Sequence, residues 1–259
     1  MLAKDWCPAA RTRSATGASY AMVRNSDNSS VAARAQARRS VGRSKAAPKR
    51  DSAATSERIL QVALTEFAAH GYSGGRIDRI ARKARINVRM IYHYFGNKDR
   101  LYLAALERAY RGIREQEQRL DLSDFDPVTG MRKLIELTFD FLATDPHFVR
   151  LIMGENLMMG KMVRKSKVIP QMTRPLVKSL ESILKRGQEQ DVFHLAIDAE
   201  SLYISILGLC FIHISNRHTL GSMFQRNFAN PNWLAERKAI VSNLLITYLT
   251  RSEAGAVPR

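Results

Sequence analysis

The chain has 259 residues, 45% of them hydrophobic, and its 41 Lys and Arg outnumber its 24 Asp and Glu, which gives a formal net charge of +17. The length allows one large domain or two modest ones, and the composition excludes a collagen-like or wholly disordered chain. Two cysteines, Cys7 and Cys210, are too few for a disulfide framework or a cysteine-based zinc site, and the charge points first to nucleic acid as a partner.

Most of the positive charge lies in the first half of the chain. Residues 1–52 hold 11 basic and 3 acidic groups, a net +8; residues 53–120 hold 13 and 7, a net +6; residues 121–259 hold 17 and 14, a net +3. The first 52 residues are rich in Ala, Ser and Arg and lack Ile and Phe, so they cannot bury enough apolar surface to fold. We predict a disordered basic tail over 1–52 and a short disordered tail over 251–259.

The role of the basic tail stays open. Translation that starts at Met22 would remove residues 1–21, and an Arg-rich, Ser-rich leader is also similar to an organellar transit peptide. A tail that is present either adds contacts to phosphates or acts as an inert linker.

Helical periodicity begins near Thr55. Apolar residues recur every four positions at Ile59, Ala63 and Phe67, which predicts an amphipathic helix, and Gly71 is placed to end it. Two short predicted helices follow, over 77–84 and 88–94, and a three-residue turn at 85–87 joins them. A long helix is then predicted over 98–120. This order predicts a three-helix helix-turn-helix domain over 53–100, whose helix 88–94 would enter the DNA major groove.

The side chains around the predicted turn are basic and aromatic. Seven basic residues fall within 23 positions and only Asp78 opposes them: Arg76, Arg79, Arg82, Lys83, Arg85, Arg89 and Lys98. Three aromatic residues with polar tips lie beside them: Tyr92, His93 and Tyr94. Such a set suits contacts to phosphates and base edges, although a solvated basic face is the simpler alternative.

Residues 59–101 resemble the N-terminal domain of the TetR family of transcriptional regulators. The resemblance is carried, in order, by Ile59–Leu60, Ala63, Phe67, Gly71–Tyr72, Ile80–Ala81, Ala84, Ile91–Tyr92, Tyr94–Phe95, Lys98 and Leu101. It extends more weakly to residues 105–250, and it implies an all-α fold that binds double-stranded DNA at a palindromic operator.

The resemblance also implies roles for single residues. Phosphate contacts are implied for Tyr92, His93, Tyr94 and Lys98. Base contacts are implied for Val88, Arg89 and Met90, and Phe95 would pack the recognition helix into the small core.

Three positions depart from the family pattern. Gly75 stands where a Thr usually opens the second helix, so one cap and one phosphate contact are either lost or supplied by the following Arg76. Arg85 replaces the turn glycine, at a cost of about 1 kcal/mol if its φ is positive. Arg89 replaces a small residue and has the reach for two hydrogen bonds to a guanine edge.

The remainder, 101–250, is predicted to be a helical ligand-binding and dimerisation domain. Helices are predicted over 128–144 and 147–159. Pro170 and Pro175 mark the start of a further helix that reaches 190, and the last two predicted helices cover 198–216 and 232–248. In the TetR family the last two helices form a four-helix dimer interface. The residues expected there are Leu202, Ile206, Leu209, Cys210, His213, Trp233, Ile240, Leu244 and Tyr248; the alternative is that both stripes are buried within one copy.

The middle helices are expected to enclose an effector pocket. The candidates are Phe141, Phe148, Met153, Asn156, Met159, Tyr203 and Phe211, although such a stripe also suits an ordinary core. Residues 215–224 resemble the C-terminal domains of regulators of pyrimidine or nicotinate breakdown, which implies a small polar aromatic effector.

No enzyme motif is present. The sequence lacks a phosphate-binding glycine-rich loop, H-E-x-x-H and a nucleophile elbow, and its six histidines are scattered, so we expect no enzyme, metal or cofactor. Its longest apolar run, 204–214, is shorter than the roughly 20 residues of a membrane span, and we expect a cytoplasmic protein. The sequence therefore predicts a dimeric, ligand-responsive repressor; the alternative is a DNA-compacting protein indifferent to sequence.

Overall fold

The computed structural model describes the backbone of residues 47–251 and the side chains of residues 52–251. Within these residues the chain forms ten α-helices and no strand. The first four are α1 (Ala47–Gly74), α2 (Ile77–Lys83), α3 (Val88–Phe95) and α4 (Lys98–Arg119). The others are α5 (Pro127–Thr144), α6 (Pro146–Leu157), α7 (Val168–Glu189), α8 (Ala199–Ser215), α9 (Arg217–Phe224) and α10 (Pro231–Thr250). The all-α fold class is confirmed.

Helix α1 is longer than its apolar periodicity indicates. It begins at Ala47 rather than near Thr55, because a helix nucleated on a packed face extends readily through alanine-rich sequence. Residues 47–52 of the predicted N-terminal tail therefore have helical backbone; residues 1–46 and 252–259 of the two predicted tails lie outside the described residues. Gly71 has φ 66° and ψ 179° and interrupts the helix where its end was expected, and one further turn follows to Gly74.

Local capping signals fix most of the other boundaries. Asparagine or aspartate side chains accept hydrogen bonds from backbone N–H groups in the first turn of six helices: Asn87, Asn97, Asp126, Asp145, Asp198 and Asn230. Proline follows the cap directly at Pro127, Pro146 and Pro231, where its missing N–H costs nothing.

Two predictions for the second half of the chain need correction. Pro170 and Pro175 do not precede a helix but lie within α7, because the first is in the first turn and the second removes only one hydrogen bond of a 22-residue helix. Helix α9 was not predicted, because its eight residues are too few to show a helical repeat of apolar residues. It ends at Gln225, which has a φ of 52°.

The described core is one continuous apolar cluster that both halves of the chain share. In the first half, α1 packs against α2 and α4, and the ring of Phe67 meets that of Tyr102 edge to face at 4.9 Å. In the second half, α5 lies between α7, α8 and α10, with Leu134, Phe139 and Ile206 almost fully buried. Helix α6 joins the halves because it packs against both α1 and α8.

No single helix among the described residues has the length and apolar character of a membrane span. Helices α8 and α9 reach them only when taken together, and they meet at a bend of 67°.

Candidate functional site

The turn between α2 and α3 is held by short-range hydrogen bonds. The Ile86 N–H donates to the Ala81 carbonyl at 3.0 Å, and the Asn87 side chain accepts from the Arg89 N–H at 2.9 Å, which caps α3. Arg85 lies in the turn with φ 53°, a left-handed conformation that costs about 1 kcal/mol for a residue with a Cβ. The φ of Arg85 is therefore positive, and the cost predicted for that case applies.

Helix α3 is anchored by the buried Ile91 and the half-buried Tyr94 and Phe95, and its other residues are exposed. Ile91 is 1% exposed and packs into the core, whereas Val88, Met90 and Tyr92 are 37%, 37% and 48% exposed. Arg89 and His93 are exposed as well. A short helix with apolar and cationic side chains on its open face is typical of a binding surface.

Lys98 and Tyr72 form a polar group at the N-terminus of α4. The Lys98 ammonium lies 4.9 Å from the centroid of the Tyr72 ring and donates to the Ser73 carbonyl at 3.3 Å. The Tyr72 hydroxyl donates to Asp99, which raises the pKa of Tyr72 and lowers that of Asp99. A cation held at a helix N-terminus, where backbone N–H groups are also free, suits a phosphate.

The predicted phosphate contacts occupy different positions around α3. Arg76 and His93 are exposed, while Tyr94 and Lys98 are half-buried. The Tyr94 ring lies edge-on to His93 at 5.5 Å. Arg76 gives α2 no side-chain cap, so the cap that a Thr would have supplied is absent.

A buried carboxylate binds two of the seven basic residues. Glu66 of α1 is 0% exposed, and its oxygens accept from Arg79 Nε at 2.6 Å and from Lys83 Nζ at 3.0 Å. It also accepts from the Arg76 backbone N–H at 3.4 Å, at the N-terminus of α2. Burial by itself would raise the pKa of Glu66, but these hydrogen bonds and the Lys83 charge lower it. Sequence reasoning missed this group because Glu66 is 13 and 17 residues from its partners.

Replacement of Glu66 by glutamine is expected to lower the free energy of unfolding by about 1–2 kcal/mol, because the Arg79 and Lys83 charges lose their partner but remain partly solvated. Since the folded pKa of Glu66 is lowered, its contribution is present above its ordinary pKa of 4.5 and is lost as the pH falls below it. Urea unfolding at pH 7 and pH 4 measures both effects.

The matched control is Glu57→Gln on the same helix. Glu57 is 53% exposed and pairs with Arg108 Nε at 2.9 Å, so its loss should change stability by less than about 0.5 kcal/mol. Equal effects of the two substitutions at pH 7 would contradict the structural role of Glu66.

Gly75 is explained by packing. A Cβ at this position would lie 2.4 Å from Cδ1 and 2.6 Å from Cε1 of Phe67, whose ring is 1% exposed and fixed in the core. The Thr that the family pattern places here does not fit against this Phe67 without a shift of the core.

A cavity of about 350 Å³ lies in the second half of the chain, between α4, α5, α6 and α8. Its walls are mostly apolar and include four aromatic rings, those of Tyr110, Phe148, Tyr203 and Phe211. The other lining residues are Ile113, Arg114, Leu142, Ile152, Asn156, Ile204, Leu207 and Gly208. Volume and lining suit a small organic ligand.

The structure brings together four of the seven predicted pocket residues at this cavity: Phe148, Asn156, Tyr203 and Phe211. Phe141 is buried behind Phe148, with ring centroids 5.3 Å apart, and does not line the cavity. Met153 lines a different cavity of about 230 Å³, beside Arg150.

Met159 also needs correction. It is 81% exposed with φ 54°, in the turn that follows α6, so it does not face the cavity. The helix was predicted to reach this residue, but it ends at Leu157.

Arg114 and Tyr203 form the polar end of the cavity, and Glu117, which does not line the cavity, binds both of them. Arg114 and Glu117 of α4 are 6% and 7% exposed, and the Arg114 guanidinium donates to Glu117. The Tyr203 hydroxyl of α8 donates to the other Glu117 oxygen at 3.1 Å, and the Arg114 guanidinium lies over its ring at 5.4 Å. Burial raises the pKa of Glu117 despite Arg114, and it raises the pKa of Tyr203 as well. The Arg114 Nε is buried without a hydrogen-bond partner among the described residues.

Helix α6 connects this cavity with the helix-turn-helix. It lines the cavity through Phe148, Ile152 and Asn156, and it packs against α1. Glu155, 3% exposed, accepts from the backbone N–H groups of Met162 and Val163 at 3.1 and 2.8 Å, which fixes the turn after the helix. A displacement of α6 at the cavity would therefore reach α1.

The predicted dimer stripe on α8 needs correction. Leu202, Ile206 and Cys210 are 0% exposed and His213 is 3% exposed, so these side chains are buried within one copy. His213 stacks on Phe139 at 4.9 Å, and burial lowers its pKa to about 4. Because α8 is apolar on all sides, its sequence pattern does not indicate which side faces outward.

The outward stripe of α8 includes Ile204, Ser205, Gly208 and Ile212, and its two isoleucines are 68% and 49% exposed. On the neighbouring α10, three predicted interface residues are exposed, at 53%, 53% and 49%: Ile240, Leu244 and Tyr248. The remaining two, Leu209 and Trp233, are half-buried.

No group of three or more His, Cys, Asp or Glu residues within 52–251 has an arrangement that would hold a metal ion.

Comparison with known proteins identifies the two halves separately. The model described as "Bacterial regulatory proteins, tetR family" matches residues 59–105, and "Tetracyclin repressor-like, C-terminal domain" matches residues 127–245. The chain is similar to the HTH-type transcriptional repressor NicS of Pseudomonas putida, with 34% identity over 197 residues, which cover 76% of this chain and 93% of NicS.

Two solved structures have the same fold at low sequence identity. The ketosteroid transcriptional regulator KstR2 of Mycobacterium tuberculosis matches with a TM-score of 0.57 and 17% identity, covering 76% of this chain and 95% of KstR2. The transcriptional regulator FadR of Bacillus subtilis, in complex with stearoyl-CoA, matches with a TM-score of 0.54 and 17% identity, covering 74% of this chain and 98% of FadR. The relatives are named as regulators of transcription and not as enzymes, and this chain belongs to the TetR family of bacterial transcriptional regulators.

Proposed function

We propose that the protein is a dimeric repressor that binds a palindromic operator and leaves it when a small-molecule effector occupies the cavity. The observation that carries this proposal is the position of α6, which lines the cavity on one side and packs against α1 of the helix-turn-helix on the other. An effector acts only if it binds one of the two states more tightly.

The proposed base contacts are the exposed residues in the first turn of α3. Val88, Arg89 and Met90 would face bases, with Arg89 on a guanine edge. Phosphate contacts are proposed for Arg76, Tyr92, His93, Tyr94 and Lys98. A regulator that acts on chromosomal DNA in a bacterium works in the cytoplasm.

The proposed effector is a small aromatic molecule with one polar group. Four aromatic rings and aliphatic walls favour a flat apolar body. The polar group would meet Arg114 and Tyr203, the two lining residues that Glu117 holds in place from behind. The bound stearoyl-CoA of FadR shows ligand binding in that protein, and for this chain the effector is proposed from the cavity alone.

The proposed dimer uses the exposed stripes of α8 and α10. One helix-turn-helix reads half of a palindrome, so a second copy supplies the other half. In a two-fold interface the same residues meet from both sides, and the stripes of Ile204 and Ile212 with Ile240, Leu244 and Tyr248 are self-complementary in this sense.

A DNA titration tests the proposal. Fluorescence anisotropy should show tighter binding to a duplex from the DNA upstream of the protein's own gene than to a scrambled duplex of equal length. The preference should hold at both about 50 and about 200 mM salt, a range over which binding through phosphate contacts alone weakens strongly. Equal affinity for both duplexes, lost steeply with salt, would reject a sequence-reading repressor.

A further inference from the structure

A second group of basic side chains lies between α6 and α7. Residues 156–180 contain six Lys and Arg and no Asp or Glu. Four of the six fall within residues 160–167, which we call the basic turn, and all four are exposed: Lys161, Arg164, Lys165 and Lys167. The side chains of Arg164 and Lys167 have no hydrogen bond or ion pair with other residues of the described range 52–251. Such a concentration of unopposed positive charge favours an anionic partner.

The basic turn has a fixed backbone. Glu155 of α6 accepts from the N–H groups of Met162 and Val163, and the Ser166 hydroxyl donates to Glu107 of α4 at 2.6 Å. Met162 and Ser166 are 2% and 7% exposed, so the turn is anchored by buried side chains between its exposed cations. The cations therefore project from a backbone that is tied to both α4 and α6.

The basic turn lies beside the proposed phosphate contact at the N-terminus of α4. The Lys165 ammonium is 3.6 Å from Oδ2 of Asp99, which also accepts from the Tyr72 hydroxyl. The Tyr72 ring in turn lies next to the Lys98 ammonium, 4.9 Å from its centroid. The Tyr72 hydrogen bond and then the charges of Lys165 and Lys161 lower the pKa of Asp99. Lys98 and the cations of the basic turn thus occupy neighbouring positions on one surface.

We propose that the basic turn is a second DNA contact, in which Lys161 and Arg164 bind phosphates next to the one at Lys98. Each strand of a duplex presents one phosphate per roughly 3.4 Å of axis, so a DNA backbone that reaches Lys98 continues past it. The continuity of the basic turn with the helix-turn-helix surface favours DNA over another polyanion. This inference rests on the proposed function and goes beyond it, because it assigns DNA contacts to the part of the chain that forms the ligand cavity.

The second contact makes α6 a direct connection between ligand and DNA. Helix α6 lines the cavity, and its Glu155 holds the backbone of the basic turn. A displacement of α6 therefore moves Lys161 and Arg164 relative to Lys98, which belongs to α4. An effector that stabilises the displaced state weakens phosphate contacts without changing which bases α3 reads.

The salt dependence of DNA binding tests the proposal. The double variant Lys161→Gln with Arg164→Gln removes two cations and leaves the ion pair of Lys165 and Asp99 in place. The plot of log affinity against log salt concentration should become shallower by about 1.8, since each phosphate contact contributes about 0.9. The loss of affinity should then be roughly twelvefold larger at about 50 mM than at about 200 mM salt. The preference for the upstream duplex over the scrambled duplex should not change, because phosphates carry no sequence information.

The matched control is Arg174→Gln with Lys178→Gln on α7. Both side chains are exposed and the net charge falls by the same amount, but α7 runs away from the basic turn, and its Ser179 lies beside Glu117 and Leu122 at the other end of α4. The control should keep the slope of the parent chain. A parent slope in the Lys161 and Arg164 variant, or an equal change in both double variants, overturns the second contact and leaves the repressor proposal standing. A parent chain that binds both duplexes equally rejects the repressor instead, and the difference in slope still decides whether the basic turn binds phosphates.

Discussion

Replacement of Glu117 by leucine is expected to lower the free energy of unfolding by about 3–5 kcal/mol. The substitution leaves the Arg114 guanidinium, 6% exposed, without its carboxylate in an otherwise apolar region, and it removes the acceptor of the Tyr203 hydroxyl. Urea unfolding followed by circular dichroism at pH 7 measures the change.

The double variant Arg114→Met with Glu117→Leu is the matched control. It removes both charges together, so it should recover most of the loss, since an apolar pair of similar volume replaces the ion pair. If the double variant is as unstable as Glu117→Leu, packing rather than the unpaired charge accounts for the loss.

The single variant Arg114→Met should be less harmful than Glu117→Leu, because a carboxyl can become neutral by binding a proton and a guanidinium cannot. Burial already raises the pKa of Glu117, and loss of Arg114 raises it further. A raised folded pKa gives stability that is present below the unfolded value and lost as the pH rises through the folded value. Arg114→Met should therefore lose more stability between pH 5 and pH 8 than the parent chain.

Replacement of Arg89 by alanine is expected to weaken operator binding by roughly 1–3 kcal/mol, about fivefold to 150-fold, and to relax the preference at one base pair in each half-site. Arg89 is exposed on α3, its backbone N–H is fixed by the Asn87 cap, and α3 is anchored by Ile91, so the side chain projects from a rigid helix. Anisotropy titrations against duplexes varied one base pair at a time measure affinity and preference together.

Arg174→Ala removes the same charge from the exposed surface of α7 and should leave operator affinity unchanged. A uniform loss over all duplexes for Arg89→Ala would assign Arg89 to a phosphate instead of a base.

The helix-turn-helix was predictable because local signals determine it. The Asn87 and Asn97 caps, the break at Gly96 and the single buried Ile91 are all encoded within a few residues of their effect. No tertiary contact is needed to place α2, α3 and the start of α4, and their bounds follow the predicted ones closely.

The ligand cavity was only partly predictable because its polar end is assembled at long range. Arg114 and Glu117, three residues apart on α4, have the spacing of an ordinary surface ion pair, and Tyr203 is 86 residues from Glu117. The available signal was that this ion pair lies on the same stripe of α4 as the apolar Ala109 and Ile113, which indicates that the pair is buried.

The outward face of α8 was not predictable for a different reason. Both of its long stripes are mostly apolar, and the packing of α5 and α10 decides that Leu202 and Ile206 face inward while Ile204 and Ile212 face outward. Ser201, Ser205 and Gly208, all exposed, were the residues whose types distinguish the outward side.

The carboxylate of Glu66 determines how an alanine scan of the basic surface should be interpreted. Arg79 and Lys83 are bound to a 0% exposed group that joins α1 to α2, whereas Arg82 and Arg89 have no such attachment. Alanine at either of the first two will lower the melting temperature together with operator affinity; alanine at either of the others will lower affinity alone. Affinity measured without melting temperature would therefore count two structural residues as DNA contacts.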